Sequence, residues 1–162
     1  MTMMTVPSLL SANFRDDKGL GKILIVDDEK FNCDIIFGFL MVLGFKNREK
    51  RTCFAYNGEQ AVQLINQSIK EGDESRFGLI LMDCNMPFLD GYEATKQIRK
   101  IFNRRGLERQ EQPKIVAITG HVEEEYITKA MGSGMDKVYQ KPFSIKEFGG
   151  LLLSMGFIDS VP

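Results

Sequence analysis

Residues 22–44 read KILIVDDEKFNCDIIFGFLMVLG, and the change of rhythm inside that stretch decides the fold. Ile23-Leu24-Ile25-Val26 is a short unbroken apolar run, the mark of a strand buried on both faces. After Asp27-Asp28 the apolar residues fall at helical spacing. This predicts an inward stripe of Phe31, Ile35, Phe39, Val42 and Leu43, with Gly44 as the C-terminal stop. The same unit recurs down the chain. Thr52–Ala55 reads as a second, weaker strand before a helix over 59–70, whose inward residues are Ala61, Val62, Leu64, Ile65 and Ile69. Phe77–Met82 is a third strand, followed by a helix that Gly91 opens and that runs to about Phe102. Ile115–Ile118 precedes a helix over 123–131, and Val138–Gln140 precedes a last helix over 144–155 with Ser144 as its N-cap. Residues 103–112, NRRGLERQEQ, read as a polar loop whose Arg104, Arg105 and Arg109 form a solvated basic patch. Strand-then-helix units in succession imply parallel strands, right-handed crossovers and helices on both faces of the sheet. The fold class is therefore α/β with a five-stranded parallel sheet.

The remainder of the chain sets bounds on function. At 162 residues, 43% hydrophobic and 27% charged, it matches one ordinary globular domain with a proper core. A formal charge of −1 excludes a strongly basic nucleic-acid binder. No apolar run approaches the ~20 residues that span a bilayer, since the richest stretch, Ile35 to Phe45, carries two glycines. The N-terminus lacks the basic-then-apolar order of a secretory signal. Cys33, Cys53 and Cys84 are an odd number with no CxxC spacing, which argues against a disulfide framework or zinc site and for a reducing, cytoplasmic compartment. With His121 as the only histidine, a separate histidine-bearing kinase module is not expected in this chain. Residues 1–20 read as a poorly ordered lead-in, with packing of Val6, Leu9 and Leu10 on the domain as the alternative. The domain is expected over 21–157, with 158–162 as a tail.

Open parallel sheets bind ligands outside the carboxyl ends of their strands. There the first strand delivers Asp27-Asp28, the third Asp83, the fourth Thr119-Gly120 and the fifth Lys141-Pro142. Each feature alone suits a cap or a turn; together they form a set that structure does not require. Three crowded carboxylates are tolerable with a divalent cation, and magnesium takes oxygen ligands from one or two carboxylates plus a phosphate. Asp83 then serves as a nucleophile giving an aspartyl phosphate, while the Lys141 ammonium and the Thr119 hydroxyl neutralise the phosphoryl oxygens.

The segments ILIVDDEKFN (23–32), AYNGEQA (55–61), LILMDCNMPFLDGYEATKQIR (79–99), IVAITGH (115–121) and GMDKVYQKPF (134–143) resemble a response-regulator receiver domain over about residues 21–155. Asn32 and the wording MDCNMPFLDGYEAT are similar to receivers attached to hybrid histidine kinases. The resemblance implies a flavodoxin-like (βα)5 fold and a phosphoryl group taken from a histidine kinase or histidine phosphotransfer protein. It implies Asp83 as phosphoacceptor and Asp27 and Asp28 as the pair that holds Mg2+. It further implies Asn85 completing the metal shell through its carbonyl, and Thr119 and Lys141 contacting the phosphoryl group. A cis bond before Pro142 is part of the same pattern. The family's usual aromatic switch, three residues before the lysine, is Val138 here, and Gly120 stands where alanine is common. From Val138 we expect a small conformational change on the side of residues 123–150.

Two rival readings come from other classes. A pseudo-receiver that only binds a partner would normally have lost Asp83, the acidic pair or Lys141, all present here. A magnesium-dependent phosphohydrolase with Asp83 as nucleophile wants a second aspartate two residues on, where this chain has Asn85. No output domain is expected after the fifth strand, and no contact with nucleic acid or membrane by this chain itself. Cys84 reads as inert and His121 as a surface-loop residue. Phe37 and Met41 are expected as an exposed patch opposite the first helix's core stripe.

Overall fold

The computed structural model describes residues 19–72 and 76–162. The lead-in expected over 1–20, with its Val6, Leu9 and Leu10 cluster, lies outside the described residues except for Gly19 and Leu20. Strands β1 (Lys22–Val26), β2 (Thr52–Ala55), β3 (Phe77–Asp83), β4 (Lys114–Thr119) and β5 (Lys137–Gln140) alternate with helices. The helices are α1 (Lys30–Val42), α2 (Arg48–Arg51), α3 (Gly58–Glu71), α4 (Gly91–Arg104), α5 (Glu124–Ser133) and α6 (Ile145–Ser154). All pairings are parallel, in the order β2-β1-β3-β4-β5.

Strand alternation divides the core in two. Leu24, Val26, Ile80, Met82, Ile115 and Ala117 face α3, α4 and α5 in one cluster. Ile23, Ile25, Leu79, Leu81, Val116 and Ile118 face α1 and α6 in the other. These strands are buried on both faces, so continuous apolar runs were their correct signature. Ser144 caps α6 as expected, in a capping box with Glu147: Ser144 Oγ accepts from Glu147 N at 3.1 Å and Glu147 Oε2 accepts from Ser144 N at 3.1 Å.

Four expectations need correction. The inward residues of α1 are Cys33, Ile36 and Leu40, with Leu43 just beyond the helix, while Phe31, Ile35 and Val42 are exposed. Phe39 is half-buried. Because α1 is apolar on nearly every side, its sequence does not fix which stripe faces the sheet. Phe37, expected in an exposed patch, packs edge-on against Phe54 of β2 with ring centroids 5.5 Å apart and carries the Arg48 guanidinium on its face. In the loop after α4, Arg109 is not part of a free basic patch. It donates to Asp136 at 3.2 Å beside Arg99 and reaches the Gly134 carbonyl at 2.6 Å. Beyond α6, Phe157 and Ile158 are buried, so packing continues into the stretch expected as a tail. Phe157 stacks with Arg51, a buried guanidinium that also reaches the Gly21 carbonyl at 3.0 Å.

Candidate functional site

β1 and β3 are neighbours, and each ends in a buried carboxylate: Asp27 is 4% exposed and Asp83 is 5% exposed. In the sheet order 2-1-3-4-5 this is the topological switch point, where crossovers leave in opposite directions and open a crevice. Asp28, one residue on, is exposed, and the carboxylates of Asp27, Asp28 and Asp83 offer oxygens within 4.8 Å of one another.

Each acid is held by local chemistry. Asp27 Oδ1 accepts from the Glu29 amide at 2.9 Å and Oδ2 from the Asn32 side chain at 3.1 Å. Asp83 Oδ1 accepts from the Asn85 amide at 3.2 Å. Helix α4 begins against the same strand end. Asp90 caps it through the Glu93 amide at 2.8 Å, and a Cβ on Gly91 would collide with the Asp83 carbonyl, which explains a glycine there.

Lys141 is delivered from the far side by β5. Its amide donates to the Thr119 carbonyl at 2.7 Å, and the Lys141–Pro142 bond is cis, as expected. Its Nζ lies 3.0 Å from Asp27 Oδ2 and 3.4 Å from Asp83 Oδ2, bridging the two buried acids. Thr119, 2% exposed, ends β4, and its Oγ1 accepts from the His121 amide at 3.2 Å. The sequence-predicted residues thus meet at one edge of the sheet.

The electrostatics follow from burial. Desolvation pushes the Asp83 carboxyl up to about 6, against the pull of the Lys141 ammonium, and the Asp27 charge adds to the rise. Burial alone would lower the Lys141 ammonium. The hydrogen bond to Asp27 and the charges of Asp83 and Asp27 outweigh it and hold Lys141 above its ordinary value. Cys84 is buried and its thiol is pushed up to about 11 by desolvation, in keeping with an inert role. His121 is exposed, its ring 4.8 Å from that of Tyr126. Three mutually close carboxylates supply the hard oxygen donors that magnesium prefers, so the donor set fits that ion.

Sequence reasoning treated Asn32 only as a mark of resemblance and did not anticipate its bond to Asp27. Its place in the first turn of α1, over the end of β1, is the signal that could have found it. Phe88 was also missed. It lies in the loop between Asp83 and α4, fully exposed, with a left-handed backbone at φ 68°.

A parallel sheet that gathers acids, a hydroxyl and a lysine at its switch point defines a class that comparison with known proteins makes explicit. The model of the response regulator receiver domain matches residues 23–151, and the chain belongs to that family. It is 30% identical over 127 residues to histidine kinase CKI1 of Arabidopsis thaliana, covering 74% of this chain and 11% of that kinase; the chain thus spans about a tenth of that relative's length. Among solved structures it resembles the receiver domain of CKI1 complexed with Mg2+ and BeF3-, with 26% identity, 84% of this chain and 89% of that chain covered and a TM-score of 0.67. It is also similar, at 30% identity and TM-score 0.68 over 84% of this chain and 88% of that one, to a co-crystal structure from Saccharomyces cerevisiae. That structure holds the histidine phosphotransfer signaling protein Ypd1 and the receiver domain of its downstream response regulator Ssk1. Among the described residues, no helix is long and apolar enough to cross a membrane.

Proposed function

We propose that this receiver takes a phosphoryl group from a phosphohistidine onto Asp83. The observation that carries the reading is the Lys141 ammonium set between the buried carboxylates of Asp27 and Asp83 at the mouth of the switch point. An Asp83 carboxylate oxygen forms the new bond to phosphorus while the phosphorus–nitrogen bond breaks. The electron pair stays on the leaving imidazole nitrogen, which takes a proton from water. Lys141 turns from its carboxylates to a phosphoryl oxygen and neutralises charge there, and the Thr119 hydroxyl donates to another. Asp27, Asp28, Asp83 and the Asn85 carbonyl would hold Mg2+, which when bound neutralises the phosphoryl oxygens as charge shifts between them. The protein promotes its own phosphorylation and slow dephosphorylation. A reducing, cytoplasmic setting belongs to the same reading, supported by the free thiols of Cys33, Cys53 and Cys84.

The partner is a histidine kinase or a histidine phosphotransfer protein, and the surface it meets is not the expected Phe37 patch. Phe31, Ile35 and Val42 recur at helical spacing on the exposed side of α1, with Gly38 between them, where even a Cβ would meet nothing within 4 Å. At its N-terminal end this stripe meets a cleft of about 390 Å³ lined by Asp27, Asn32, Ile35, Lys141, Pro142 and Phe143. Phe88, in the loop that follows β3, is likewise fully exposed. A helix laid along this stripe brings a histidine at its end to Asp83. Phosphotransfer from a phosphorylated partner to the wild type, and to Phe31→Ser with Ile35→Ser, tests it. Slower transfer to the variant, with unchanged labelling by acetyl phosphate, is the expected result; equal transfer would exclude this surface.

A further inference from the structure

At the opposite edge of the sheet, between the C-terminal ends of α3 and α4, lies a second cleft of about 420 Å³. That volume is in the range of small-molecule sites. Its floor is apolar and aromatic: Phe77 and Phe102 are nearly buried, and Ile69 and Leu107 are half-buried. Its rim carries Arg76, at the foot of β3, and Arg105, just past α4. Both guanidinium groups are exposed, and neither forms an ion pair with a described residue. Among the described residues one acid lines it, Glu111, and its Oε2 accepts from the Glu108 amide at 2.7 Å.

A bland account has the arginines neutralising helix C-terminal dipoles. Arg104 already occupies the last turn of α4, however, and Arg76 is on no helix. Two uncommitted forks over an aromatic floor are matched by one chemistry, a carboxylate carried on a flat apolar body. The carboxylate takes the charge-assisted bonds, and the body covers Phe77 and Phe102.

We infer that the cleft bounded by Arg76 and Arg105 is a binding site for a small aromatic carboxylate, separate from the phosphorylation site. The test is amide-shift NMR of the full chain titrated with phenylpropionate, with the neutral alcohol phenylpropanol and inorganic phosphate as comparators. Saturable shifts should centre on Ile69, Phe77, Phe102 and Leu107. Affinity should fall at least about tenfold for the alcohol, for phosphate, and for phenylpropionate with Arg76→Gln, Arg105→Gln protein. No saturable shift, equal binding of the alcohol or phosphate, or unchanged binding by the double variant would overturn the inference. So would binding that emerges only after residues 1–18 are deleted, because the cleft would then belong to the chain's own N-terminus.

Discussion

Asp83 is a carboxylate that the fold makes uncomfortable. Its buried carboxyl sits up at about 6 against an ordinary 3.8, so the unfolded chain gives up this proton first as pH rises. Folding therefore loses stability through Asp83 as pH climbs from about 4 to 6, by up to about 3 kcal/mol, and the loss persists above. In magnesium-free buffer, Asp83→Asn should raise the melting temperature at about pH 8 and do so much less at about pH 4. An equal gain at both pH values would show that the aspartate's charge is not what strains the site. The thiols give a second reading of burial. Cys33 is pushed up to about 12 and Cys84 to about 11 by desolvation, so at about pH 8 neither presents thiolate. Titration with a chromogenic disulfide should leave both unreacted in the native protein and label them in denaturant. Rapid native labelling of Cys84 would reopen a redox role.

At the scale of elements, the helix nearest the site is the one the sequence describes least well. α1 carries apolar side chains at Phe31, Cys33, Ile35, Ile36, Phe37, Phe39, Leu40, Met41 and Val42, so several stripes compete, and packing on Ile23 and Ile25 selects Cys33, Ile36 and Leu40. Leu40→Ala should cost roughly 2–5 kcal/mol in urea unfolding, as at a fully buried site, and Phe31→Ser less than about 0.5 kcal/mol. Comparable losses for the two would return the helix to the phase expected from sequence. The strands were legible because burial on both faces leaves unbroken apolar runs, as in Ile23–Val26. Arg109 was not, since its partner Asp136 lies 27 residues away and no local pattern announces such a pair. Asp27, Asp83, Thr119 and Lys141 were legible because each directly follows or ends a strand, where topology alone brings them together.

At the scale of the molecule, β5 presents Val138 and Tyr139 to opposite sides of the sheet. Val138 packs with the α3–α5 cluster, and Tyr139 with Phe143 at 5.0 Å between ring centroids on the α1–α6 side. A β-branched valine has no ring to swing when Thr119 moves. Beryllofluoride should therefore shift amides across residues 123–150 less in the wild type than in Val138→Tyr. Shifts as large in the wild type would mean that another group carries the signal to that face. The central claim, that this receiver is charged at one carboxylate, is tested most directly by intact mass. The chain is incubated with magnesium and acetyl phosphate, beside Asp83→Asn. The account predicts the added mass of one phosphoryl group on the wild type and none on the variant; equal labelling of the variant, or no labelling of the wild type, would contradict it.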